Sequence, residues 1–431
     1  MGNVPFVANL PMITAIVIFV VVYYFIISEK LDRTLVAMAG AAAMVCIGIL
    51  TQKSAIEEVD FNTLGLLTGM MIIVMIAKRS GVFEYIAIKM AKLAKGDPVK
   101  VLIYICIATG LLSALLDNVT TIMLVLPVTL TLAKDLKVDP KAFVIAEIFA
   151  SNVGGTATLI GDPPNIIIGS QVGLSFAEFL KYNGGISLAL LFLTTYIFVL
   201  IYKKKLISNN QAKEDIMAID ENLLLKDKKL MFQSLGVLVL VIAGFLLHRA
   251  LHIESATIAL TGGIVLLLIS GVKVEKILHE VEWKTLFFFM GLFIMVGGLK
   301  ATGAIDLIAV NVIAVTGDNQ FLMMMAVLWV SAIASAFIDN IPFVTTMIPL
   351  LQKMGELTGV NLYPMWWALS LGACLGGNGT IIGASANVIA IGLCEHNNIK
   401  IGFKEYFKVA FPVMLLTIVV CTVYLGVVFW K

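Results

Sequence analysis

Apolar residues in this chain run in long blocks separated by short charged turns, without the alternation or the 3.6-residue stripe of a soluble fold. Blocks long enough to cross a bilayer cover Leu10–Ser28, Thr34–Leu50 and Asn62–Lys78, and later Met231–Leu247, Ser255–Gly271 and Thr285–Lys300. Val82–Lys95 carries Lys89, Lys92 and Lys95 three apart among Ile, Ala and Met, which predicts a basic amphipathic helix in the membrane interface. Ala304–Val315 has the corresponding place in the second half. Ser175–Tyr182 and Gly402–Lys408 are predicted as short amphipathic pieces ahead of the spans Gly184–Tyr202 and Ala410–Trp430.

Two blocks are interrupted. From Phe143 to Ile168 the apolar run contains S-N-V-G-G-T-A-T-L-I-G-D-P-P-N at Ser151–Asn165, where paired glycines, Gly161 and Pro163-Pro164 cannot continue a regular helix. Irregular backbone at membrane depth persists only where protein buries it or where it lines a wet cavity. An intramembrane Asp with Asn and Thr beside it therefore marks a solute or ion site. The pattern recurs as A-C-L-G-G-N-G-T-I-I-G-A-S-A-N at Ala373–Asn387, displaced by 222 residues without a gap. The same offset carries Asp117-Asn118 onto Asp339-Asn340, Gly69 onto Gly291 and Gly81 onto Gly303. Two halves, each with a broken span, are the pattern of a transporter built from structural repeats.

Each half also holds an apolar stretch with a polar centre, too long for one span and too short for two: 99–133, with Asp117-Asn118 in the middle, and 320–351, with Asp339-Asn340. Re-entrant hairpins satisfy both lengths. The expected fold is an all-α polytopic membrane protein with about ten transmembrane helices plus two re-entrant hairpins and broken helices at the site. Residues 1–202 form the first repeat (broken helix 141–170), 203–230 a cytoplasmic linker and 231–431 the second repeat (broken helix 362–393). Five spans per half force the repeats into opposite orientations, an inverted pair. With the linker inside, 24 of the 30 Lys and Arg fall inside, which sets both termini outside. The Asp117 tip is then expected to be reached from inside and the Asp339 tip from outside.

Composition changes the picture only by exclusion. The chain is 60% hydrophobic and 13% charged over 431 residues, far from a soluble domain. No basic patch interleaved with aromatics points to nucleic acid. Neither the five Cys nor the four His have metal-ligand spacing, and nothing pairs a nucleophile with a base, so an enzyme is not expected.

The chemistry then rests on the breaks and tips. Asp117, Asn118, Asp162, Asp339 and Asn340, with the carbonyls around Gly154 and Gly376, are the candidate Na⁺ or proton site; no other metal and no cofactor is expected. Capping of their own helices is the alternative role for the two Asp-Asn pairs. Asn152, Gly155, Thr156, Thr158, Asn165, Gly377, Asn378, Thr380 and Asn387 are candidate solute contacts, Asn165 and Asn387 equally suited to tying the re-entering helix to the gap. Glu147 reads as a proton-relay member or an acid facing an aqueous vestibule, the second favoured, and Cys374 as a small apolar residue more than a ligand for a thiophilic metalloid. Asp162 aligns with Ala384 and Glu147 with Leu369, so the first half carries two extra acids. No Lys or Arg lies in either motif, which favours a cation, a proton or a neutral solute over a multivalent anion.

G-G-T-A-T-L-I-G-D-P-P-N and G-A-C-L-G-G-N-G-T-I-I-G-A-S-A-N, with Asp-Asn at each hairpin tip, resemble the ArsB/NhaD-type permeases of the ion transporter superfamily, most of all the melanosomal P protein branch. The resemblance spans nearly the whole chain. It implies a scaffold plus a mobile transport domain, a homodimer in the plasma (inner) membrane and elevator-type alternating access. It also implies ion-coupled transport of a small inorganic solute, with arsenite or antimonite efflux favoured and Na⁺/H⁺ antiport or anion or carboxylate transport as alternatives; from a different class, a broken-helix site can conduct without alternating, which makes an ion channel a further alternative. Dicarboxylate relatives carry Ser-Asn-Thr at the tips, where this chain has Asp117-Asn118 and Asp339-Asn340, a departure that argues against citrate-type anions.

Overall fold

The computed structural model describes residues 9–28, 30–316 and 319–430; Lys431, counted in the charge bias above, lies outside them. Among the described residues the regular structure is entirely helical. Seven helices among the described residues are long and apolar enough to cross a membrane, and Arg33–Cys46, Pro98–Ser113, Ser255–Ser270 and Ala304–Ala314 are shorter apolar ones.

The halves correspond helix by helix. Phe61–Arg79 matches Trp283–Ala301 at an offset of 222 residues at both ends. Each is followed by a left-handed glycine, Gly81 (φ 80°) and Gly303 (φ 76°), which turns the chain into Val82–Leu93 or Ala304–Thr316. At Gly81 a side chain would also strike the Leu224 carbonyl, so the linker is packed onto this turn. The hairpins are Pro98–Ser113 with Asn118–Asp135, and Gln320–Phe337 with Asn340–Thr358. The broken spans are Lys141–Gly155 with Pro163–Val172, and Tyr363–Gly376 with Ser385–His396.

Packing crosses between halves. Arg33–Cys46 lies on Trp283–Ala301, and Ser255–Ser270 lies on Phe61–Arg79. Gly69 lets the second crossing close: a Cβ there would stand 2.3 Å from the Ala259 carbonyl carbon, and one on Gly291 2.7 Å from that of Ala37. Hairpins and broken spans form a second set of contacts, with Asn118–Asp135 against Ser385–His396 and Asn340–Thr358 against Pro163–Val172. Each of these pairs maps onto the other when the halves are exchanged, as a two-fold relation requires.

Three expectations change. Phe176–Tyr202 is one continuous apolar helical run, because a π-turn at Leu180–Gly184 absorbs the Gly184-Gly185 step instead of ending the helix. Phe403–Phe429 is likewise a single helix that contains Pro412. The linker packs on the first repeat: Asn210–Ala218 is a helix, capped by Asn209 Oδ1, which accepts from the Ala212 N–H, and it lies on the first hairpin. Lys92 of the amphipathic helix donates to Glu221 Oε2 and the Ile219 carbonyl, and this bond holds Glu221 below the usual carboxylate range. That face of the helix therefore meets the linker and not only lipid headgroups.

Candidate functional site

The glycines of the broken spans make the site possible. A Cβ on Gly154 would lie 2.0 Å from the Gly110 carbonyl oxygen, and one on Gly376 2.4 Å from that of Ala332, so each hairpin arm presses directly on its broken span. Gly155 and Gly161 approach one another in the same way, as do Gly377 and Gly383. Gly154, Gly155, Gly376 and Gly377 thus have close packing as their direct role here. We expect Gly154→Ala to force the arm away and lower stability by about 3 kcal/mol, read as a fall in Tm of the detergent-solubilised protein.

Hydroxyls stitch the same contact. Thr158 Oγ1 donates to the Ala114 carbonyl and Thr380 Oγ1 to that of Ala336, both at 2.5 Å, while Ser113 and Ser335 donate to the Ser151 and Ala373 carbonyls. Thr156 bonds back to Asn152 O in its own helix. These three threonines spend their hydroxyls on backbone.

Buried asparagines join the halves at the centre. Asn152 Nδ2 donates to Asn378 Oδ1 (3.0 Å) and Asn387 Oδ1 (2.9 Å), and its Oδ1 accepts from Asn118 Nδ2 at 3.1 Å. Asn387 Nδ2 reaches the Gly377 and Thr380 carbonyls across the break, as Asn165 Nδ2 reaches those of Thr156 and Thr158. Asn165 Oδ1 accepts from Ser370 Oγ at 2.6 Å and Cys374 Sγ at 3.4 Å. Cys374 is the repeat counterpart of Asn152, and each donates to the other half's gap-spanning asparagine, so Cys374 is more than an apolar filler.

At the tips the aspartates cap their helices. Asp117 accepts from the Thr120 N–H (2.8 Å) and Thr120 Oγ1, and the Asn118 N–H bonds the Gly161 carbonyl, docking tip to break. Asp339 Oδ1 accepts from the Ile341 N–H at 3.0 Å. Asp339 Oδ2 accepts from Ser385 Oγ at 2.7 Å and from Arg33 Nη1 at 3.0 Å. Arg33 revises the expectation of a site without a cationic side chain.

A cavity of about 20 Å³ lies between the tips, lined by Arg33, Asp117, Asn118, Asp162, Glu282 and Asn340 among others. That volume suits one water or one bare monovalent ion. Asp162 is 1% exposed, and neither carboxylate oxygen is engaged in a hydrogen bond, although Cys374, Asn340 and Asn118 stand close by. Arg33 and Ser385 also line an adjoining cleft of about 190 Å³, which Asp339 borders. This cleft opens at the linker's end of the molecule, where Asp32 pairs with Lys284, Arg79 with Glu280, and the Lys226 N–H bonds the Ser80 carbonyl. A second cleft, of about 410 Å³ beside Ser170, His248, Arg249 and Glu254, takes the exchanged position.

Glu147 does not face water: it is fully buried with both oxygens unengaged, near Cys106, Thr129 and Cys394. Three residues escaped the sequence reading. Glu282 was findable, because it is Asp60 displaced by 222, and each bonds the threonine three residues on. Asn183, which the π-turn swings inward to donate to the Thr156 carbonyl and Ser370 Oγ, carries no local signal beyond the Gly-Gly after it. Arg33 carries none at all.

The chain has wide likeness to known proteins. The citrate transporter (CitMHS) family matches residues 23–372. An uncharacterized transporter of Mycobacterium tuberculosis is 40% identical over 419 residues, 96% of this chain and 97% of the relative. The P protein of Homo sapiens is 35% identical over 486 residues, 93% of this chain but 58% of that longer protein, in line with the P protein resemblance read from the motifs. The Alcanivorax borkumensis YdaH transporter, whose crystal structure has an unusual topology, superposes with a TM-score of 0.64 at 14% identity, covering 97% of this chain and 98% of that one; this likeness concerns the fold alone. With its apolar spans, its paired breaks and these relatives, the chain is an integral membrane transport protein and not an enzyme, and it belongs to the citrate transporter family.

Proposed function

We propose that this chain is a secondary active transporter that couples H⁺ or Na⁺ to the movement of a small inorganic solute, with arsenite or antimonite efflux as the first cargo to test. The observation that carries this reading is Asp162, a buried carboxylate with both oxygens unengaged, beside Asp117 and Glu282 on a cavity of about 20 Å³. A buried, uncompensated carboxylate costs several kcal/mol unless a proton or a cation joins it. Hard oxygens around a space this small suit Na⁺ or a proton. The family's name raises citrate, but a tricarboxylate would have to displace Arg33 from Asp339 and enter past three carboxylates. Na⁺/H⁺ antiport is the second reading, favoured by the same adjacency, since Na⁺ and a proton would compete for one set of acids.

Alternating access by an elevator step is supported by the division of packing. Hairpins and broken spans pack on one another and on Phe176–Tyr202 and Phe403–Phe429, which Asn183 and Tyr406 tie to the breaks, whereas their ties to the helices Leu10–Ser28, Arg33–Cys46 and Phe61–Arg79 run through Tyr23 to Pro342 and Thr346, Asp60 and Asn62 to Ser170, and Arg33 to Asp339 and Ser385. The reading includes a homodimer in the plasma (inner) membrane, with both termini outside and the linker cytoplasmic, as the Lys and Arg bias requires.

The test is transport in liposomes. Arsenite uptake under an imposed pH or Na⁺ gradient, with saturable counterflow, is the expected result. Conductance without counterflow would make the chain a channel. In the same assay Asp162→Asn is expected to shift the pH profile of transport, and an unmoved profile would take Asp162 out of the coupling.

A further inference from the structure

The two hairpin tips are repeat counterparts with different electrostatic company. Around Asp117 the acids outnumber the one cation: Asp162 and Glu282 share its cavity, which Arg33 also lines while paired with Asp339, and the counterparts of Arg33 and Ser385 in that half are Ser255 and Pro163. Around Asp339 the charge is already balanced. Arg33 Nη1 lies 3.0 Å from Asp339 Oδ2 and 2.6 Å from Ser385 Oγ, and Ser385 closes the triangle with its own 2.7 Å bond to Asp339. The position of Asp162 is Ala384 here, so no second acid needs a partner. The guanidinium is fixed from the other side by the Phe288 ring, 5.2 Å from its carbon. Phe288 belongs to Trp283–Ala301, a helix outside the hairpins and broken spans.

We propose that Arg33 is a tethered cation that occupies the place a second coupling ion would take at Asp339, so that the transporter binds one coupling ion per cycle, in the Asp117–Asp162 half. The proposal rests on the cation-coupled reading above. A charge-assisted bond to a guanidinium satisfies a tip carboxylate as a bound cation would. Because the tether is on the scaffold side, this satisfaction is lost whenever the Asp339 tip moves away from Phe288. Arg33 therefore also favours the conformation described here.

The experiment counts ions. Transport by the reconstituted wild type is titrated with Na⁺ at fixed pH and with protons at fixed Na⁺, alongside Tm of the purified protein in the same series. Wild type is expected to respond to its coupling ion with a Hill coefficient of about 1. Arg33→Gln removes the charge and keeps the reach; it is expected to raise the coefficient to about 2 and to add a cation-dependent rise in Tm. Arg33→Lys should keep the wild-type count. Arg33→Gln/Asp339→Asn, which leaves neither charge unpaired, should return to it, and this double variant serves if the single one does not fold. A wild type insensitive to both ions would overturn the coupling reading itself. A wild type with one site and an Arg33→Gln protein also with one would overturn only the tethered-cation assignment. So would a double variant that needs two ions.

Discussion

Asp117→Asn is expected to abolish ion dependence and most transport while leaving the protein folded. The substitution keeps side-chain size and one acceptor oxygen, so the cap on the Thr120 N–H at 2.8 Å survives. What disappears is the charge next to Asp162 and Glu282. A cation shared between carboxylates loses its strongest ligand, and an ion-induced rise in Tm should vanish with it. We expect at least about a 100-fold fall in ion-stimulated turnover, equivalent to about 3 kcal/mol of lost differential binding. The control is Ala384→Asp, which adds an acid to the second half. It should disturb transport without rescuing Asp162→Asn, because Arg33 already balances that half. If Asp117→Asn moves solute with unchanged Na⁺ and pH dependence, the carboxylate is a cap and nothing more.

The second large effect is structural. Asn152→Leu is expected to remove most folded protein from the membrane fraction, and Tm should collapse. Leucine fills the volume but strands Asn378 Oδ1 and the Asn118 amide, and takes from Asn387 Oδ1 its donor, all in a dry interior. Each buried polar atom left alone costs about 1–3 kcal/mol, so a total near 5 kcal/mol is expected. The repeat supplies its own comparison. Cys374→Ala, at the counterpart position, should cost only about 1 kcal/mol, because Ser370 still donates to Asn165 Oδ1 at 2.6 Å. Equal losses in the two variants would show that the network is not where the halves are held.

The parts of this architecture visible in the sequence are those that repeat locally. Paired glycines, the tip aspartates and the gap-spanning asparagines stand at one offset in both halves, and each has a backbone reason to be where it is. Glu282 obeyed the same rule, but its counterpart Asp60 sits in a polar link that reads as a loop. Arg33 could not be read in this way. Its partner lies 306 residues away, and in sequence it is one charge of a turn between two spans, a place where arginine is ordinary. Glu147 misled for the opposite reason. An acid inside an apolar run reads as turned to water, yet the helices that carry Cys106, Thr129 and Cys394 enclose it, and only tertiary packing decides that. The continuous Phe176–Tyr202 run belongs with these: glycine pairs end helices by propensity, and here a π-turn overrides it while turning Asn183 inward to the Thr156 carbonyl and Ser370 Oγ.

The crossed packing of Gly69 on Ala259, and of Ala37 on Gly291, sets an order of biosynthesis. When the ribosome has finished the first repeat, the groove along Phe61–Arg79 has no occupant, because Ser255–Ser270 has not been made. The nascent repeat must wait in the bilayer with that groove filled by lipid or by the insertion machinery. Neither half can then reach its native state by itself, although a chain severed between Ser208 and Asp227 leaves every crossing helix intact. Two such fragments made together should assemble a working transporter; either one made alone should be degraded. The linker is thus a tether that sets the local concentration of two interlocking partners, and its length can vary more freely than the register of the crossings it brings together.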